Sequence, residues 1–390
     1  MTREYDIVVI GAGIHGAGVA QAAAAAGYSA LVLEQQAIAW ATSSRSSKLI
    51  HGGLRYLESA QFALVRESLR ERAILLAVAP ELVRLVPFYI PVYRDTTRRP
   101  WQLRVGLSLY ATLGGLASTT RFSTVARERW GELDGLATNG LQTVFRYYDA
   151  QTDDARLTTA VLRSAQELGA ELACPARFVG ARYERGGWSV QFDTANQARE
   201  CRTRAIVNAA GPWVNEVLAR ITPVPPSLAV DLVQGAHLLI EGRLHEGIYY
   251  VEAPQDHRAV FVMPWPSGVL VGTTETHFHG DPAKVEPLPQ EVEYLRQTVR
   301  HYFPAMAVRE TARFAGLRVL PRAAIGAFHR PRDTCIVADD THQPRLLSVC
   351  GGKLTGYRAT AAKVMKRLES TLPSRVTRAD TATLKLPVTS

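Results

Sequence analysis

Three glycines, Gly11, Gly13 and Gly16, follow directly on the apolar run 5–10, and an acid, Glu34, closes the next apolar run. Glycines in that pattern allow a tight turn and close approach of backbone to a pyrophosphate, which rests on the N-terminus of the helix opened by Ile14. Glu34 lies near the ~20-residue spacing expected of a carboxylate that accepts hydrogen bonds from a ribose hydroxyl. A dinucleotide cradle is therefore expected at the N-terminus. The segment 42–57 decides which dinucleotide it holds. An ordinary nicotinamide fold would run on into another helix, whereas here Thr42, Ser43, Ser44, Ser47, Lys48, Leu49, His51, Arg55 and Tyr56 stand among further serines and glycines. Small hydroxyls, glycines, a histidine and cations suit a loop threaded along a long cofactor tail towards a reactive ring.

The stretch 41–58 closely resembles the FAD-dependent glycerol-3-phosphate dehydrogenases, within the D-amino-acid oxidase superfamily of flavoproteins. Further matches are Ala315-Gly316-Leu317-Arg318-Val319-Leu320-Pro321, the segment 273–282, and Gly351-Gly352-Lys353-Leu354-Thr355. The resemblance implies FAD as cofactor and oxidation of sn-glycerol 3-phosphate, or a close phosphorylated polyol, to dihydroxyacetone phosphate. Hydride would pass to flavin N5 and electrons onward to a quinone, the insertion of the oxygen-using oxidases being absent. Arg55, Tyr56, Arg318, Arg332 and Lys353 are the implied substrate ligands, with Arg330 a rival for the place of Arg332. Arg318 and Lys353 are also read with His51 as catalytic. Planar guanidinium forks suit bidentate recognition of phosphate. An imidazole titrating near neutrality suits removal of the hydroxyl proton, the role expected of His51.

The second glycine turn, Gly351-Gly352, lies between an apolar run and a helix expected over 359–368. It presents backbone N–H groups and a positive dipole end that would stabilise negative charge on a reduced flavin. Gly352, Lys353, Leu354 and Thr355 are thus expected at the cofactor. The strand 205–210 ends in Ala210-Gly211-Pro212-Trp213, where bulk would collide with a flavin. Ala210, Gly211, Trp213 and Phe178 complete the expected cofactor contacts. Two other readings stay open: a flavin oxidoreductase of the same superfamily acting on a 2-hydroxy acid or amino acid, and a flavin-binding subunit active only with a membrane partner.

The elements that must position these residues are read as an α/β and α+β chain, with a Rossmann-like FAD-binding domain and an inserted, mainly antiparallel β-sheet substrate domain. Segments 1–85, 150–220 and 310–390 are assigned to the first and 86–149 and 221–309 to the second. Helices are expected over 60–79, 152–169 and 290–302, and strands over 85–93, 235–240, 259–264 and 269–272. The helical C-terminal domain of typical family members is expected to be absent, since the chain stops soon after Pro387. Gly356 stands where the family often carries another residue, so a different substrate size or identity is expected.

The 390 residues carry a net charge of +9, which favours anionic partners, and no nucleic-acid motif accompanies it. Four scattered cysteines and histidines without ligand spacing indicate neither a disulfide framework nor a metal site. No leader is expected ahead of the first strand and no run is expected to span a bilayer, so the expected location is cytoplasmic, with peripheral contact at the inner face of the plasma membrane. Segment 98–110 interleaves cations with apolar residues and would lie on such a surface with Trp101 and Leu107 inward.

Overall fold

The apolar run Ile7–Ile10 has no polar alternation, the pattern of a strand covered on both faces. In the computed structural model, which describes residues 3–195, 197–322 and 334–388, it lies in strand Arg3–Ile10, buried from Tyr5 onward. Ala30–Leu33 and Ala198–Asn208 flank it in parallel. Glu171–Ala173 extends the sheet on one side, and Leu346–Gly351 pairs with the end of Ala198–Asn208 on the other. The earlier part of Ala198–Asn208 turns instead into an antiparallel meander with Gly187–Thr194 and Ala176–Glu184. Helix Ile14–Ala25 packs between Asp154–Glu167 and Tyr357–Leu368 over the parallel strands. Small side chains make that approach possible: Ala17, Ala20, Ala23 and Ala24 share one core with Ala160, Val161, Ala361 and Val364.

The second sheet runs in the order Thr276–His277, Val230–Ile240, Gly268–Gly272, Ala259–Trp265, Ile248–Glu252, Val83–Tyr93, Leu141–Thr152 and Leu49–Ile50. Pairing is antiparallel except between Ile248–Glu252 and Val83–Tyr93. Strand Glu310–Pro321 lies along the whole of Val230–Ile240, so its hydrogen bonds tie it to the second sheet. The expected helices appear as Phe62–Val78, Asp154–Glu167 and Pro289–Tyr302; the first two are shorter than their expected spans, the second because Asp153 caps it by accepting from the Arg156 amide, and the third begins one residue earlier.

Segment 98–110 departs from expectation in one respect. It forms helix Pro100–Leu113, in which Leu103, Leu107 and Tyr110 are buried against Phe88, Ile90 and Val92 of the second sheet. Leu107 is therefore core and unavailable to a membrane, because residues three and four apart share the inward face. Trp101 and Val105 lie on the opposite face, 66% and 59% exposed. Among the described residues no helix is long and apolar enough to cross a membrane.

Candidate functional site

Both sheets converge on one large cavity, and the cradle glycines form its first wall. Gly11 has φ +103°, and a Cβ there would sit 2.7 Å from the Ala209 carbonyl oxygen. The helix from Ile14 has no acid in its first turn, so its positive end is uncompensated and suits an anion. Ile14 donates its amide to Ser43 Oγ at 2.9 Å, which fixes the loop over the turn. Glu34, 8% exposed, accepts from the amides of Ala12 and Gln36, both at 2.8 Å. A carboxylate has about four acceptor sites, so a ribose hydroxyl can still be accommodated where Glu34 lines the cavity. The cradle thus fits a dinucleotide such as FAD.

Lining the same cavity are Thr42, Ser47, Leu49, Phe178, Ala210, Gly211, Trp213, Gly352 and Leu354. Thr42 Oγ1 donates to the Leu317 carbonyl at 2.8 Å, joining the loop to strand Glu310–Pro321. Trp213 stands 5.8 Å from Trp40, centroid to centroid.

Four expected contacts stand behind this lining. A Cβ on Gly16 would lie 1.9 Å from the Gly11 carbonyl oxygen, so this glycine serves helix–turn packing. Ser44 Oγ turns back to the carbonyls of Trp40 and Ala41. Lys48, at φ +60° and 6% exposed, directs Nζ to Asp154 and to the Ser44 carbonyl, both at 2.5 Å. Desolvation raises the Asp154 pKa and the lysine opposes that rise. Lys48 is thus half of a buried ion pair that holds the loop's shape. Thr355 Oγ1 accepts the His51 amide at 3.1 Å, orienting the residue rather than the cofactor. Gly356 also lies outside the lining, and a Cβ there would meet nothing within 4 Å. The expected change in substrate size through this position is therefore not borne by the geometry.

His51, Arg55, Tyr56, Arg318 and Lys353 also line the cavity. Lys353 Nζ lies 3.8 Å above the centre of the Tyr56 ring and 3.1 Å from Ser68 Oγ, and the Arg55 guanidinium lies 5.9 Å from the same ring. Cation–π contacts of this kind hold long cationic side chains in place. Arg318 donates to Thr273 Oγ1 at 3.0 Å and the Thr274 carbonyl at 3.2 Å, with Glu275 3.5 Å away. Arg332 and its rival Arg330 lie outside the described residues.

Behind His51, the Gly52 amide donates to Asp149 at 3.2 Å, and Tyr110 donates its hydroxyl to the same carboxylate at 2.8 Å. Asp149 also pairs with Arg72, both almost fully buried. Burial raises the Asp149 pKa, and Arg72 is the strongest influence in the other direction.

Two histidines of the lining were missed from sequence. His237 stacks on Phe314 with ring centres 4.8 Å apart, and its Nε2 meets Ser47 Oγ at 3.0 Å. Burial, then the charges of Arg318 and Lys48, push its pKa down to about 3, so it is neutral at physiological pH. The available signal was its place two residues after Gly235, on the same strand face. His15 meets the Gly351 carbonyl at 3.0 Å through Nε2, linking the two glycine turns, and burial pushes its pKa down to about 4. Its position inside the first glycine motif was legible, but the reading rested on the glycines around it.

The geometry is matched by likeness to known proteins. The family model described as FAD dependent oxidoreductase matches residues 6–358. A glycerol-3-phosphate dehydrogenase of Pseudomonas aeruginosa is 38% identical over 388 residues, covering 95% of this chain and 72% of that protein. A D-erythritol 1-phosphate dehydrogenase of Brucella abortus is 36% identical, with 94% and 74% covered. Among solved structures, a Bacillus halodurans glycerol-3-phosphate dehydrogenase complexed with FAD superposes with a TM-score of 0.74 at 24% identity, over 98% of this chain and 68% of that one. An L-alpha-glycerophosphate oxidase of Mycoplasma pneumoniae with FAD bound gives 0.76 at 14% identity, over 99% of both chains. With the glycine cradle, the acid at the cavity wall and the two-sheet architecture all in place, this chain belongs to the FAD-dependent oxidoreductase family.

Proposed function

We propose that this chain oxidises sn-glycerol 3-phosphate, or a close phosphorylated polyol, to the corresponding ketone, here dihydroxyacetone phosphate. The observation that carries the reading is the convergence of Arg55, Arg318 and Lys353, from three separate segments, on the cavity that also holds the Gly351–Gly352 turn. One cation would suffice for a carboxylate, whereas a phosphate dianion suits several. The relatives named for glycerol 3-phosphate and erythritol 1-phosphate support a phosphorylated polyol.

FAD, when bound, supplies the ring that accepts the two electrons of the oxidation. The protein's part is positional and electrostatic. Arg55, Arg318 and Lys353 hold the phosphate, and binding at this remote group orients the reacting carbon. His51 takes the hydroxyl proton, and Thr355 fixes its backbone. His237, the other buried imidazole of the lining, is a poor base, because burial and the charges of Arg318 and Lys48 hold its pKa down at about 3. The N–H groups at the Gly351–Gly352 turn stabilise charge developing on the ring.

In the same proposal electrons leave to a quinone. Helix Pro100–Leu113 brings the protein to an anionic lipid surface through Trp101 and Val105, with Arg99 and Arg104 exposed beside them. The two sheets are the cores of the cofactor and substrate units, with the boundary near 310 moving to the end of strand Glu310–Pro321. Steady-state assay with a dye acceptor against glycerol 3-phosphate, erythritol 1-phosphate, glycerol and lactate tests the substrate class. The proposal expects both phosphorylated alcohols to exceed glycerol and lactate in kcat/KM by about 10⁴-fold or more, the worth of about four charge-assisted hydrogen bonds at the lower bound. Preference for lactate would discard it.

A further inference from the structure

Strands Thr334–Ala338 and Leu346–Gly351 set Cys335 directly opposite Cys350 in antiparallel register. Opposed residues point to the same sheet face with Cβ atoms ~4.5–5.5 Å apart, a spacing from which small adjustment reaches the ~3.5–4.5 Å of a disulfide. Both are free thiols. Cys335 is half-buried, whereas Cys350 is 2% exposed and lines the cofactor cavity. The two groups already interact: burial, then the charge and hydrogen bond of Cys335, push the Cys350 thiol up to about 12. The other cysteines have no such neighbour. Cys174 is exposed against the Gln36 carbonyl, and Cys201 pairs in register with Arg3 and Val190.

Cys350 is followed at once by the turn on which the site depends. Gly351 and Gly352 have φ of +71° and +84°, the Gly351 carbonyl is held by His15, and Lys353 stands over Tyr56. A Cβ on Gly352 would lie 2.4 Å from Thr334 Oγ1, the residue before Cys335. The turn is therefore packed against both strands that carry the thiols, and a shift of one strand is transmitted to it.

We propose that Cys335 and Cys350 form a reversible disulfide under hydrogen peroxide, a redox modification site joined to the cofactor turn. The more exposed Cys335 attacks as thiolate. Its sulfur displaces hydroxide from the peroxide and becomes a sulfenic acid. The sulfur of Cys350 then attacks that of Cys335, and the S–O bond breaks as the S–S bond forms. The Cys350 proton leaves with the departing hydroxide as water. Two thiols lose two electrons and one peroxide becomes two waters. Burial suits Cys350 to the resolving role, since it disfavours the free thiolate needed for first attack.

The test treats FAD-loaded protein with stoichiometric peroxide, blocks remaining thiols with N-ethylmaleimide and maps peptides by mass. The expected product joins Cys335 to Cys350, leaves Cys174 and Cys201 blocked by the reagent, and reverts with dithiothreitol. Turnover falls with it by about fivefold or more, the lower end of common coupling between sites. Cys335→Ser keeps its turnover when reduced and becomes indifferent to peroxide. Peptides showing both residues as separate blocked thiols or as sulfinic acids would overturn the disulfide. A joined peptide with unchanged turnover would overturn the link to the turn. Neither outcome depends on which alcohol is the substrate.

Discussion

Arg318 offers the sharpest perturbation of the phosphate site. Its guanidinium is oriented by Thr273 and Thr274 and flanked by Glu275, so it meets a phosphate without first having to be ordered. A charge-assisted hydrogen bond is worth about 1.5–3 kcal/mol, and a bidentate pair at the lower bound comes to about 3 kcal/mol. Arg318→Ala should then lower kcat/KM for glycerol 3-phosphate by about 150-fold. Arg318→Lys keeps the charge but loses the planar fork, and should cost about tenfold, equivalent to one such bond. Removing the arginine also takes away one of the charges that hold His237 neutral. Burial is the larger cause, so His237 stays uncharged at neutral pH and the comparison is not confounded by a new titration. The assay is steady-state turnover with a dye acceptor, with glycerol as the control substrate and bound FAD measured by absorbance. Glycerol carries no phosphate, and its activity should change by less than about threefold, within the span of ordinary distant effects. Equal losses for glycerol and glycerol 3-phosphate would refute the assignment of Arg318 to the phosphate.

Further outcomes follow from the geometry. Gly16→Ala places a Cβ 1.9 Å from the Gly11 carbonyl oxygen, so the purified variant should carry little FAD, read from the absorbance ratio. Asp149→Ala leaves Arg72 buried without its main partner and should cost about 3–5 kcal/mol in urea unfolding. The double variant Arg72→Met/Asp149→Leu should recover much of that loss. His237 has a folded pKa of about 3 against an ordinary 6.5, so the unfolded chain takes up its proton first. Its contribution is fully present above pH 6.5 and is lost as pH falls towards 3. His237→Phe should therefore flatten the pH dependence of the urea midpoint in that window by about one proton. Trp101→Ser/Val105→Ser should reduce sedimentation with phosphatidylglycerol vesicles while leaving dye-linked turnover intact.

Much of the site was legible because backbone demands select residue types. The turns at Gly11 and Gly352 need positive φ, and Glu34 must face both a turn amide and the cavity. Such requirements leave marks in single residues. The cations Arg55, Arg318 and Lys353 were found through family resemblance, since any one arginine resembles a surface residue until the fold brings it to the cavity. His237 escaped because it sits in a strand otherwise read as apolar, and its role depends on Phe314 and Ser47, both far away in sequence. Lys48 and Ser44 were placed on the cofactor because the loop was read as lining throughout. Asp154, the partner that draws Lys48 inward, lies more than a hundred residues on. Helix Pro100–Leu113 shows the same limit: the sequence reading set Trp101 and Leu107 on one lipid-facing side, whereas packing on strand Val83–Tyr93 takes Leu107 inward and leaves Trp101 outside.

The central claim is a flavoenzyme whose cationic pocket brings a phosphorylated alcohol to the cofactor. An anaerobic spectral titration with glycerol 3-phosphate reads it most directly. The account predicts loss of the oxidised-flavin band with saturation, and no loss with glycerol at the same concentration. An intact flavin band at saturating glycerol 3-phosphate would contradict it.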